Sequence, residues 1–149
     1  MFKHILIATD GAELGTKAVQ TGLALAQRYG SKVSVLTSTD PIHTGLSTGG
    51  FGTISAKALV EKLEEIYSTE AKAVLDGARK LFEGTDLDVE YLYVRSQRAS
   101  DAILGVADTS HCDLVVMGSH GRHGIQKLLL GSQAATVLAL AHAPVLVVK

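Results

Sequence analysis

Five short aliphatic runs alternate with longer stretches of helical spacing, and this alternation constrains the fold more than any other feature of the chain. The runs are Lys3–Thr9, Lys32–Thr39, Leu87–Arg95, Asp113–Met117 and Pro144–Lys149. Between them, Glu13–Tyr29 repeats Leu14, Ala18, Gly22, Leu25 and Tyr29 at helical spacings, which predicts one inward stripe. Gly30 stands where a helix C-cap belongs. A second helix is predicted over Ala56–Phe82, with Leu59, Leu63, Ile66, Tyr67, Val74 and Leu81 in phase and Lys62, Glu65 and Lys72 on a solvated face. Ala99–Ser110 reads as a short third helix with Asp101 in its first turn, where the helix dipole favours an acid. Gln133–Ala141, Ala- and Leu-rich, reads as a fourth that ends near His142. Strands alternating with helices predict an α/β fold with a parallel sheet covered on both faces, and near-continuous apolar strands agree. Right-handed crossovers then favour a single-domain, doubly wound, five-stranded sheet of order 3-2-1-4-5 over residues 1–149.

Composition removes several classes of function. With 14 basic and 15 acidic residues the formal charge is −1, and no Lys/Arg run is present, so neither nucleic acid nor an anionic membrane is an expected partner. The single cysteine, Cys112, excludes an internal disulfide and reads as a small buried hydrophobe. Met1–His4 leads straight into Ile5–Ala8, too short for the apolar core of a signal peptide, and no apolar stretch is long enough to span a membrane. A cytoplasmic location is the expectation. Asp40–Ser55 breaks the rhythm with Pro41 and four glycines, and is expected to be a mobile flap.

In a sheet of this order the winding reverses between strands 1 and 4, and a ligand crevice opens at their carboxyl ends. Asp10 and Gly118 stand at those two ends. From Gly118 the chain reads Gly-Ser-His-Gly-Arg-His-Gly-Ile-Gln-Lys-Leu-Leu-Leu-Gly-Ser132. Glycines there admit close approach of the backbone to a ligand, and a Gly-Ser pair opening a helix leaves its first N–H groups unpaired. Two donor clusters are therefore expected, at Gly118–Gly121 and at Gly131–Ser132, joined by a segment carrying Arg122, His123 and Lys127. This is a seat for a polyphosphate; a merely glycine-rich turn is the alternative. His120 and His123 lack the third and fourth ligands of a metal site and read as polar loop residues near a phosphate. Asp10 could bond to a ribose or base, could hold a divalent ion carried by the nucleotide, or could simply cap the turn before Gly11.

The spacing Gly118-x2-Gly121-x9-Gly131-Ser132 resembles the nucleotide signature of the universal stress protein family. Ile5–Gly11 resembles the family's opening strand and acidic turn, and Val115–Gly121 and Ala143–Val148 resemble its fourth and fifth strands. The resemblance is to the ATP-binding branch and implies a cytoplasmic homodimer linked to survival under stress. It implies that Gly121, Arg122 and Gly131 meet the triphosphate through the backbone and that Ser132 donates through its hydroxyl and N–H. Gly118 would pack against the ribose, and Ala8, Thr9, Asp10 and Ser38 would line the base or sugar end. Met117, His120 and Gln133 complete the expected cofactor-binding set, with no catalytic residue and no metal ligand assigned. The family often has Val or Ile at the position of Ser38 and Thr or Ser at that of Ala134, which bears on adenine packing and on one phosphate hydrogen bond.

The expected cofactor is ATP, with or without nucleotide-borne Mg2+, in a sensor or switch with slow or no hydrolysis. The Lys-Ser/Thr ending of a P-loop is absent, and no residue stands out to position a water, His120 being near enough to consider. An ATP-consuming enzyme, either an ATPase or a nucleotidyl transferase, is the second reading. The third is a nucleotide-free dimeric interaction module. Adenylylating relatives carry His-x-Gly-His or a Ser-Gly-Gly loop after strand 1, where this chain has Asp10-Gly-Ala-Glu-Leu14. Strand 5, with Val145–Val148 at its centre, is an apolar edge of the kind monomers avoid exposing, so a homodimer paired through it is expected.

Overall fold

The computed structural model describes residues 1–43, 53–121 and 130–149. Nine elements follow one another: β1 (His4–Ala8), α1 (Glu13–Tyr29), β2 (Lys32–Ser38), α2 (Thr53–Phe82), β3 (Val89–Val94), α3 (Ala99–Thr109), β4 (Leu114–Gly118), α4 (Ser132–Leu140) and β5 (Val145–Val148). The strands form one parallel sheet of order β3-β2-β1-β4-β5, the expected topology. α2 begins at Thr53 rather than Ala56, so the second half of the expected flap is partly helix; residues 44–52 lie outside the described residues.

Alternation along β1 sorts the core into two layers. Ile5 and Ile7 pack with Val33, Val35, Ala18 and Val19 beneath α1 and α2. Leu6 points the other way, joining Leu36, Val115 and Met117 beneath α3 and α4. Ile5, Leu6 and Ile7 are all fully buried, which explains why β1 reads as an unbroken aliphatic run.

The buried stripe of α1 differs from the expected one. Gly15, Ala18, Val19, Gly22 and Ala26 face the sheet, whereas Leu14 and Leu25 are half-buried and Tyr29 is exposed. Small residues win the inner face because the helix lies close to β1. A Cβ on Gly22 would stand 2.3 Å from Ile7 Cδ1. Gly30 does cap the helix in the left-handed conformation at φ 64°, its N–H donating to Ala26 O. In α2 the inner face is Ala71, Leu75, Ala78 and Phe82, and Leu59 and Ile66, placed on the inward stripe by spacing, are exposed. Cys112 is buried beside β4, and burial pushes its thiol up to about 11, as a structural cysteine requires.

The amino end of the sheet is tied by side chains. Asp113 accepts from the N–H groups of Lys3 (2.8 Å) and His4 (3.1 Å). His4 in turn pairs Nε2 with the buried Ser34 hydroxyl at 2.8 Å.

Candidate functional site

Two turns meet where the sheet reverses. The first joins β1 to α1. Ala12 N–H donates to Asp10 Oδ1 at 2.9 Å and Gly11 N–H to Thr9 Oγ1 at 3.2 Å, so side chains satisfy the turn from inside. Gly15 makes this possible, since a Cβ there would lie 2.6 Å from Asp10 Oδ1. Asp10 is thus a turn cap, and it also lines the neighbouring cavity.

The second turn leaves β4. Ser119 N–H donates to Val148 O and Gly131 N–H to Ser119 O, both at 2.8 Å. These bonds narrow the two expected donor clusters: the amides of Ser119 and Gly131 are consumed by the protein. Gly131 instead serves as the N-cap of α4, in extended conformation, without a side-chain cap. The amides of Ser132, Gln133 and Ala134, in the first turn, have no intrahelical acceptor. Those of His120 and Gly121 likewise have no acceptor among the described residues. The helix dipole adds partial positive charge at this point.

The glycines serve contacts within the protein. A Cβ on Gly118 would stand 3.0 Å from Leu14 Cβ, one on Gly131 3.1 Å from Ser119 O, and one on Gly121 3.0 Å from Asp10 Oδ2. Gly118 is therefore matched to α1 crossing the end of β4. Gly121 brings the two turns together over the Asp10 carboxylate.

Between the turns lies a cavity of about 550 Å³, within the range of small-ligand sites. Ala8, Thr9, Asp10, Ser38, Met117, Gly118, His120, Gly121, Gly131, Ser132 and Gln133 all line it. Arg122 lies outside the described residues, as do His123 and Lys127. The open amides of α4 border one part of the cavity. Thr37, Ser38, Thr39 and Asp40, continuing from β2, border another, and Thr39 Oγ1 is 2.9 Å from Tyr93 Oη. His120 Nδ1 lies 3.1 Å from Ser119 Oγ, a bond internal to the turn. Among the described residues no group of three His, Cys, Asp or Glu could hold a metal ion.

Sequence reasoning missed the wall contributed by helices. Tyr67, Glu70 and Val74 of α2 line the cavity, as do Ala99 and Ile103 of α3. Tyr67 and Val74 already stood in phase on α2, but spacing alone does not say which end of a stripe faces a cavity. A second crevice of about 460 Å³ lies between α1 and α2, bordered by Thr16 and Val19 on one side and Ala73, Gly77 and Leu81 on the other. It shares Thr9, Glu70 and Val74 with the first.

The sequence model of the universal stress protein family matches residues 1–149. The chain belongs to the universal stress protein family. A universal stress protein of Thermus aquaticus is 33% identical over 150 residues, covering 100% of both chains. The structure of MJ0577 of Methanocaldococcus jannaschii superposes with a TM-score of 0.82 at 27% identity, covering 100% of this chain and 96% of its own. A more distant universal stress protein, solved in complex with cAMP, shares the fold with a TM-score of 0.71 at 24% identity, over 99% of this chain and 97% of its own. Among the described residues no helix is long and apolar enough to cross a membrane.

Proposed function

We propose that this universal stress protein binds an adenine nucleotide, ATP foremost, in the cavity at the sheet reversal, as one nucleotide-binding domain over residues 1–149. One observation carries the reading. The first turn of α4, with its open amides, and both ends of the Gly-x2-Gly-x9-Gly-Ser spacing border the same cavity, at the point where a doubly wound sheet holds ligands. The cAMP complex of the distant relative supports the choice of an adenine nucleotide.

In this reading the phosphates lie against Ser132, Gln133 and Gly121, with Arg122 as an expected charge partner, and the base lies toward Ser38. Asp10, an acceptor beside Gly121, would repel a bare phosphate, so it faces a ribose hydroxyl or a nucleotide-borne Mg2+. The protein would supply positioning and charge complementarity. The Lys-Ser/Thr ending of a P-loop is absent from the sequence, which favours a cytoplasmic ligand-dependent switch with slow or no hydrolysis over an ATP-consuming enzyme.

The dimer is part of the same proposal. β5 is a sheet edge, and Leu138, Leu140 and Leu146 beside or upon it are 45%, 60% and 37% exposed, an apolar face suited to a second copy. Calorimetric titration with ATP and magnesium tests the binding, with saturable heat at one site per chain expected. Absence of heat and of any thermal shift would reduce the protein to an interaction module. Phosphate release approaching about one per second would instead make it an enzyme.

A further inference from the structure

Gln133 does something that neither the glycine spacing nor the helix N-terminus explains. Its Oε1 accepts a 2.9 Å hydrogen bond from the N–H of Ser100, in the first turn of α3. Ser100 is buried, its amide has no acceptor within its own helix, and α3 has no side-chain cap at Arg98. A buried donor of this kind needs an oxygen, so the carboxamide can sit only one way round. Its nitrogen is thereby fixed as a pure donor. No acceptor for that nitrogen is present among the described residues, no buried side-chain polar atom is left unsatisfied, and Gln133 is half-buried on the cavity wall.

We infer that Gln133 is a specificity-determining residue: its Nε2 donates to an anionic group of the nucleotide, while its Oε1 holds α3 in place against the same ligand. This rests on the nucleotide reading above and extends it. The side chain adds a neutral donor to the backbone amides of α4, so the site favours ligands bearing phosphate over the bare nucleoside. It also joins two helix starts through the Ser100 bond, and Ala99 and Ile103 of α3 border the cavity that Gln133 lines.

Two substitutions separate the two halves of the side chain. Gln133→Glu keeps an oxygen for Ser100 N–H but replaces the donor by an anionic oxygen. Gln133→Met removes both. Titrations with ATP and with adenosine, together with melting curves, are to be run on all three proteins. The expected result for Gln133→Glu is an ATP affinity lower by roughly tenfold or more, an unchanged adenosine affinity and an unchanged melting temperature. Gln133→Met is expected to lose ATP affinity and also several degrees of melting temperature, because Ser100 N–H is stranded. Undiminished ATP affinity in Gln133→Glu, with the parent protein binding ATP, would overturn the donor role alone. A parent that binds neither ATP nor adenosine would overturn the nucleotide reading and this role with it.

Discussion

Two hollows of similar size share Thr9, Glu70 and Val74, about 550 Å³ at the sheet reversal and about 460 Å³ between α1 and α2. Volume does not distinguish them; chemistry does. The first is bordered by α4, whose first-turn amides have no intrahelical acceptor, and by the hydroxyl-rich end of β2. The second is walled mainly by helix flanks, where backbone N–H groups are already spent on the turn below. A hollow between helices is a packing remnant, whereas one at helix starts offers donors that the fold cannot satisfy itself.

Substitutions in the two hollows should have different effects. The largest effect is expected from Gly121→Val. Its side chain would stand against the Asp10 carboxylate, which Ala12 N–H already holds, and would crowd the meeting of the two turns. Gly121 itself is exposed, so the melting temperature should change little while ATP affinity falls by roughly a hundredfold. Calorimetry reporting parental affinity would remove the first hollow from consideration.

A smaller effect separates the two roles left to Asp10. Asp10→Asn keeps an oxygen for Ala12 N–H and a weaker acceptor for a ribose hydroxyl, but loses the charge that attracts a cation. If the carboxylate meets the sugar, ATP affinity should fall by about tenfold whether or not magnesium is present. If it meets a nucleotide-borne ion, titrations should lose their magnesium dependence.

The smallest effect belongs to the second hollow. A Cβ on Gly77 would meet nothing within 4 Å, and an alanine in a helix interior is worth about 1 kcal/mol over glycine. Gly77→Ala should raise stability in urea denaturation by about that amount and leave ATP affinity untouched. A change in affinity would show the two hollows to be coupled through Glu70 and Val74.

Much of this was legible in the chain, for reasons that differ from part to part. Ile5, Leu6 and Ile7 are buried on both faces of a parallel sheet, so their unbroken aliphatic run identified β1 and, through the alternation, the strand order. The glycine spacing located the cavity because its ends flank a reversal that topology fixes independently. It did not disclose why each glycine is there. Gly118 is matched to Leu14 and Gly131 to Ser119, partners more than ten residues away in sequence, and such contacts leave no local trace.

The α1 stripe was only partly legible, for a related reason. Ala18 and Gly22 were placed on the right face, but weighing residues by apolar size added Leu14, Leu25 and Tyr29, whereas a helix lying this close to β1 selects Gly15 and Ala26. The bond from Ser100 to Gln133 was equally out of reach, since it joins two helix starts 33 positions apart.

In this reading the open amides at the start of α4 receive phosphate. Amide proton and nitrogen shifts of Ser132, Gln133, Ala134, His120 and Gly121, followed on addition of ATP and separately of adenosine, test it most directly. ATP is expected to move the Ser132–Ala134 amides strongly and downfield, with smaller shifts at His120 and Gly121, and adenosine to leave the α4 amides in place while perturbing Ser38 and its neighbours. ATP shifts confined to the β2 end, or equal shifts of the α4 amides with both ligands, would contradict it.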